Sequence, residues 1–293
     1  THRFSEQAVV IGPPPAALNA TLTLPSDGQT LHPAVVLVHG SGPNDRDETV
    51  GATKMFRDLA QGLASAGIAV LRYDKRTFAY RDQLSNTTVT IDNEVIADAI
   101  AATRLLAATP GVDPKRIYIV GHSLGAMLAP EIAQRAGSVA GAVLLAPPAR
   151  APWDIVVSQM RYLGAPRETI AAVERTIVRI NLGDGDGTTI LGVPFAYWRD
   201  WANHNGIAAA RTLARPLLIL HGDRDYQVLD EDLRLWKAGL ADTPRATIKT
   251  LPGLNHVFVK GSGPSAGPNE YLRPNHVDAS VIEQIKAFVL TSS

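Results

Sequence analysis

The chain has 293 residues, 28 of them basic and 28 acidic, and no cysteine. Balanced charge offers no field that would favour nucleic acid or an anionic membrane surface, and the missing thiols exclude disulfides, thiolate metal sites and a cysteine nucleophile. No run of about 18 apolar residues is present, so no membrane span is expected, and the compartment stays open between cytoplasm and export after loss of a leader.

A chain of this length suits one large α/β domain with an insertion. It opens with an antiparallel lead-in, Gln7–Ile11 and then the period-two stretch Ala20–Leu24. The continuous apolar run Ala34–Val38 follows, of the kind buried on both faces of a sheet, and ends in His39-Gly40-Ser41-Gly42-Pro43. A helical stripe carries Met55, Phe56, Leu59, Ala60 and Leu63, with Gly67 closing it. Ile68–Leu71 reads as a strand running into Arg72-Tyr73-Asp74-Lys75-Arg76. A second helix is expected on Ile91, Val95, Ile96, Ala99 and Ile100, stopping by Pro110-Gly111.

Arg116–Val120 is the next strand, followed by Gly121-His122-Ser123-Leu124-Gly125 and the helix-forming Ala126–Ala129. Gly141–Leu145 is the sixth strand. The strand–helix rhythm then breaks between 151 and 215, where a helical pattern (Ile170, Val173, Ile177, Ile180), a turn at 183–187 and the aromatics Phe195, Tyr197, Trp198 and Trp201 suggest an inserted helical cap. The rhythm resumes with Leu217–Leu220, a helix near Leu233–Leu240, and Ala246–Leu251. A Gly/Pro-rich loop over 260–275 leads to a last helix on Val281, Ile282, Ile285, Phe288 and Val289. Strands alternating with helices imply a mostly parallel sheet covered on both faces. Residues 1–150 and 216–293 would form one core, and 151–215 the cap.

Strand, G-x-S-x-G, helix is the context that forces a serine onto a sharp turn with its hydroxyl exposed, the glycines relieving crowding at the flanks. A serine needs a base to become a good nucleophile, and the base needs an orienting carboxylate. In an open parallel sheet such groups gather beyond the carboxyl ends of the strands. Asp223 and Asp225 follow the strand at 217–220, and His256 follows the strand at 246–251, with His276 further on.

With H-G-S-G-P-x-D-R-D at 39–47, R-Y-D-K-R at 72–76, G-H-S-x-G at 121–125 and G-x-N-H at 253–256, the chain resembles the α/β-hydrolase superfamily and, within it, bacterial esterases and acyl-hydrolases. The resemblance covers nearly the whole chain and is weakest in the cap. It implies the α/β-hydrolase fold, a mostly parallel central sheet flanked by helices with a helical cap after the sixth strand. It also implies Ser123 as nucleophile, Asp225 rather than Asp223 as triad acid, and His256 rather than His276 as base. The oxyanion donors would be the N–H groups of Leu124, at the head of its helix, and of Ser41, with Gly42 as second choice.

Phe195, Tyr197 and Trp198 are expected to line an apolar pocket for the substrate, some of them forming the cap's own core. His39 and His221 should bond backbone, His2 and His32 should lie at the surface, and His204 should be structural. Asn44–Glu48 reads as a salt-bridged loop rather than a metal site, and Asp184–Gly187 as a turn rather than a calcium loop. Thr77 stands where many relatives carry glycine.

The expected reaction is hydrolysis of a small-molecule carboxylic ester, with no cofactor and no metal. A thioesterase would want a basic patch for phosphates. An aminopeptidase would want carboxylates to hold a free amine, and Glu48, Asp184 and Asp186 are weak candidates. A catalytically silent binding protein is disfavoured because a serine, an acid and a histidine are all present.

Overall fold

A computed structural model describes residues 3–81, 89–183, 187–265 and 267–292. His2, and Asp184 to Asp186 of the expected turn, lie outside them. Eight strands form one sheet: β1 (Phe4–Ile11), β2 (Leu18–Pro25), β3 (His32–Val38), β4 (Ala69–Tyr73), β5 (Val112–His122), β6 (Val139–Leu145), β7 (Leu217–Gly222) and β8 (Ala246–Leu251). Their spatial order is β1-β2-β4-β3-β5-β6-β7-β8. The lead-in pair is antiparallel, β2 joins β4 antiparallel, and from β4 onward every neighbour is parallel.

Period-two alternation sorts β3 between the two faces. Val35 and Leu37 enter one core, with α1 (Met55–Ala64) behind them, while Ala34, Val36 and Val38 enter the other. All five are fully buried, which at about 1.5–3 kcal/mol for each larger side chain makes this strand a principal anchor of the fold. The second core is covered by α2 (Ala97–Ala107), entered through a wider π turn at Asp92–Ile96, and by α3 (Leu124–Ala136).

Among the described residues four helices lie between β6 and β7, where one helical pattern was expected: α4 (Pro152–Tyr162), α5 (Arg167–Asn181), α6 (Phe195–Asn203) and α7 (Gly206–Thr212). α5 carries the expected pattern, although Ile180 alone is buried along its fifteen residues. The other three span only 11, 9 and 7 residues, too short for a helical stripe to stand out. After β7 comes α8 (Asp230–Gly239), and α9 (Ala279–Thr291) closes the chain, burying Val281, Ile285 and Val289 on the same side as α1. The Gly/Pro-rich loop before α9 contains a 3₁₀ turn, Gly267–Leu272, pinned by buried Tyr271.

Candidate active site

β5 ends at His122 and α3 begins at Leu124, leaving Ser123 alone at the turn with φ 52° and ψ −118°. A non-glycine residue at positive φ is strained and persists only when its surroundings hold it. Here the Ser123 N–H donates to the Leu145 carbonyl at 2.9 Å, and the Ser123 carbonyl accepts from the N–H groups of Ala126 and Met127 at 3.0 and 3.1 Å. The flanking glycines are there for space. A Cβ on Gly121 would meet the Gly125 carbonyl oxygen at 2.2 Å, and a Cβ on Gly125 would meet the Val38 oxygen at 2.3 Å. Ser123 is half-buried at the carboxyl end of the sheet.

Asp225 and His256 come from the loops after β7 and β8. Nδ1 of His256 donates to Asp225 Oδ2 at 2.7 Å, and Asp225 Oδ1 accepts from the N–H groups of Gln227 and Val228 at 2.8 and 3.0 Å. Burial opposes ionisation of Asp225, but His256, then His221 and the Val228 N–H, outweigh it and hold the carboxyl below its usual range. An ionised carboxylate only accepts, so Nδ1 of His256 carries the hydrogen of this bond and Nε2 is the ring nitrogen left without a protein partner among the described residues. The rival residues have other partners. Asp223 accepts from the Gly253 N–H at 2.7 Å, and His276 lies exposed against Asp58 at 3.1 Å.

The elbow and the base loop are joined through His122. Its Nε2 donates to the His256 carbonyl at 3.0 Å, and the two rings lie 4.6 Å apart between centroids. The Ser123 hydroxyl itself makes no hydrogen bond among the described residues. In resting hydrolytic sites the nucleophile–base bond is often open and closes with substrate bound.

His122 also meets Glu48, a residue expected in a salt-bridged loop. Glu48 is 2% exposed, and its Oε1 accepts from His122 Nδ1 at 3.1 Å and from the Gly40 N–H at 2.8 Å. The His256 carbonyl can only accept and an ionised Glu48 carboxylate does the same, so in the charged pair both ring nitrogens carry hydrogen. Burial opposes charge on each. The mutual attraction wins, holding the Glu48 carboxyl below its usual range and the His122 ring above its own. One buried ion pair therefore touches the loop after β3, the elbow and the base loop. The sequence signal for it was a lone glutamate after two aspartates, with the partner 74 residues away.

The two charged motifs interlock beneath this loop. Arg46 grips Asp74 with two parallel bonds of 3.0 and 2.7 Å, and Arg72 Nε donates to Asp47 at 3.1 Å. Next to them His39 Nε2 donates to the Tyr73 carbonyl at 2.5 Å. The N–H groups of Ser41 and Leu124 have no hydrogen-bond partner among the described residues. Gly40 brings the first of them against the elbow, since a Cβ there would lie 3.1 Å from Ser123 Cβ.

The model of the Alpha/beta hydrolase family matches residues 35–262, from β3 through the elbow to beyond the base loop. The chain belongs to that family. Esterase EstD of Thermotoga maritima is 39% identical over 293 residues, covering 98% of this chain and 68% of that protein. Est1E from Butyrivibrio proteoclasticus with ferulic acid bound has the same fold, with a TM-score of 0.67 at 19% identity over 97% of this chain and 99% of that one. So does the hyperthermophilic esterase from the archaeon Pyrobaculum calidifontis, with a TM-score of 0.62 at 20% identity over 97% and 85%.

In this hydrolase the aromatics of α6 divide. Tyr197 donates its hydroxyl to Glu94 at 2.5 Å and helps line a cavity of about 310 Å³ with Gly42, Pro43, Thr77, Glu94 and Pro194. Phe195 and Trp198 are buried instead, Phe195 beside Trp153 and Trp198 stacked on Trp201. His204 is bonded to Glu131 at 2.7 Å. Two histidines differ from expectation. His32 is buried and bonded to the Gly67 carbonyl, because α1 ends over it. His221 faces Asp230 at 3.5 Å rather than backbone. Among the described residues no group of three or more His, Asp or Glu side chains is placed to hold a metal ion, and no helix is long and apolar enough to cross a membrane.

Proposed function

We propose that the protein cleaves carboxylic esters of short to medium acyl chain through a covalent acyl-enzyme. The observation that carries this is the bond between Asp225 and His256, whose ring lies 4.6 Å from that of His122, the residue next to the elbow serine. Ser123 attacks the ester carbonyl while Nε2 of His256 takes its proton, and Asp225 steadies the imidazolium. The Ser41 and Leu124 N–H groups receive the developing oxyanion, helped by the dipole of α3. His256 then returns the proton to the leaving alcohol, and water repeats the sequence to release the acid.

Ester rather than amide or thioester is the bond favoured by the likeness to EstD, and the four motifs resemble those of bacterial esterases and acyl-hydrolases. Residues 151–215 act as a cap, and the cavity shared by Gly42, Pro43 and Tyr197 is the substrate's apolar pocket. Comparing kcat/KM over p-nitrophenyl esters of graded chain length, an acyl-CoA and an aminoacyl anilide tests the reading. The esters should lead by at least tenfold. A larger kcat/KM for the anilide or the acyl-CoA would replace it with a peptidase or thioesterase.

A further inference from the structure

Gly40 is held by buried charge on both sides. Its N–H donates to Glu48, and its carbonyl accepts from Lys75 Nζ at 2.9 Å. Lys75 is 1% exposed and pairs with Glu94 Oε1 at 3.3 Å. Glu94 in turn accepts from the Thr77 hydroxyl at 2.6 Å and from the Tyr197 hydroxyl of α6. Burying a lysine carries a large desolvation cost, which the Glu94 carboxylate and the Gly40 carbonyl offset.

The carbonyl that Lys75 holds belongs to the peptide joining Gly40 to Ser41. In a trans peptide the C=O and N–H of one unit point in opposite directions in one plane. Fixing the oxygen therefore fixes the aim of the Ser41 N–H. A cation on the oxygen also withdraws electron density from the unit and makes its N–H a stronger donor. That N–H has no protein partner among the described residues and lies in the loop packed against Ser123.

We infer that Lys75 is a positioning residue for the oxyanion hole, aiming and polarising the Ser41 N–H through the Gly40 carbonyl. This rests on the reading of Ser123 as the nucleophile of a hydrolase. Lys75 touches neither substrate nor nucleophile, so its effect belongs to the transition state. Ground-state binding should hardly notice it.

The test uses Lys75→Met, which has nearly the same length, and Lys75→Met/Glu94→Gln, which removes both buried charges so that neither is orphaned. In Lys75→Met kcat should fall about 10- to 100-fold, less than the roughly 10²- to 10³-fold of deleting an oxyanion donor outright, with KM within about twofold, and the double variant should lose kcat by a similar factor. Affinity for an alkyl boronate, which forms a tetrahedral adduct on serine, should fall by the same factor as kcat/KM. A double variant that is folded by near-UV circular dichroism and keeps kcat and boronate affinity within twofold overturns the inference.

Should both variants unfold, the wild-type protein decides. On boronate binding the Ser41 amide proton should move downfield, and an unmoved Ser41 resonance overturns the inference. Labelling of Ser123 by a fluorophosphonate separates this from the ester reading. If no ester is turned over but labelling slows in the variants, the ester reading fails and the inference stands. If wild-type Ser123 neither labels nor turns over esters, both fall.

Discussion

His122, the neighbour of Ser123 in the elbow, is held by Glu48 on one side and the His256 carbonyl on the other, while Ser123 itself is held through its backbone. Replacing Ser123 by alanine removes only an oxygen from a turn whose conformation is set by backbone bonds and by the space at Gly121 and Gly125. The Ser123→Ala protein should therefore keep its melting temperature within about 2 °C while kcat falls at least about 10³-fold. Retention of a tenth of wild-type turnover would remove Ser123 from the mechanism.

The Glu48–His122 pair makes a different kind of prediction. A carboxyl held below its usual range contributes stability above the unfolded value near pH 4.3, lost as pH falls through the folded value. An imidazole held above its usual range contributes stability below about pH 6.5, lost as pH rises through the folded value. The pair is therefore strongest between those limits. His122→Gln should destabilise by about 3–5 kcal/mol there, because it leaves a buried carboxylate unpaired. Melting temperatures of both proteins across pH should converge on the alkaline side. A gap that stays constant from pH 5 to 9 would contradict an imidazolium.

At the scale of elements, the elbow depends on backbone approaching backbone. α3 runs so close to the end of β3 that a Cβ on Gly125 would overlap two carbonyl oxygens, those of Val38 and His39. Neither is the end of a flexible side chain, so Gly125→Ala should cost about 3 kcal/mol or more and abolish activity, read by urea unfolding and by ester turnover. A fully active, equally stable variant would mean that the strand and helix can separate. This close approach was legible from the strand–G-x-S-x-G–helix pattern, as were the apolar runs of β3 to β8 and the loops bearing Asp225 and His256. What was not legible was pairing across the fold. Nothing local marks Glu48 as buried, since its partners His122 and Gly40 meet it only once β3 and β5 are side by side. Lys75 reads as one more charge in a basic motif until Glu94, arriving from the turn before α2, neutralises it. Three of the helices between β6 and β7 were missed for a related reason. They span only 11, 9 and 7 residues, and a stripe such as Phe195, Trp198 and Trp201 shows its partners only once the chain has folded.

Across the whole molecule, the helices between β6 and β7 share their core with the sheet. Ile180, Phe195, Trp198 and Trp201 belong to one apolar cluster with Val36, Leu124 and Leu144. Helices packed this way should not melt alone. Calorimetry should show a single thermal transition with calorimetric and van't Hoff enthalpies in agreement, and a separate low-temperature transition would make these helices an independent unit. The balanced charge of 28 basic and 28 acidic residues also leaves no steering field, so kcat/KM for neutral esters should change less than twofold between low and moderate salt. A steep decline would point to a charged recognition surface that the fold does not display.

The claim on which these arguments converge is that carbon–oxygen bond cleavage passes through an ester of Ser123. Acid quenching of the enzyme within milliseconds of mixing with a slowly deacylating p-nitrophenyl ester, followed by mass analysis of the peptide containing residues 117–135, measures this directly. The account predicts one acyl group per chain, attached to Ser123, formed with a burst of p-nitrophenol and lost at the rate of turnover. Turnover with no acylated peptide, or with the acyl group on another residue, would contradict it.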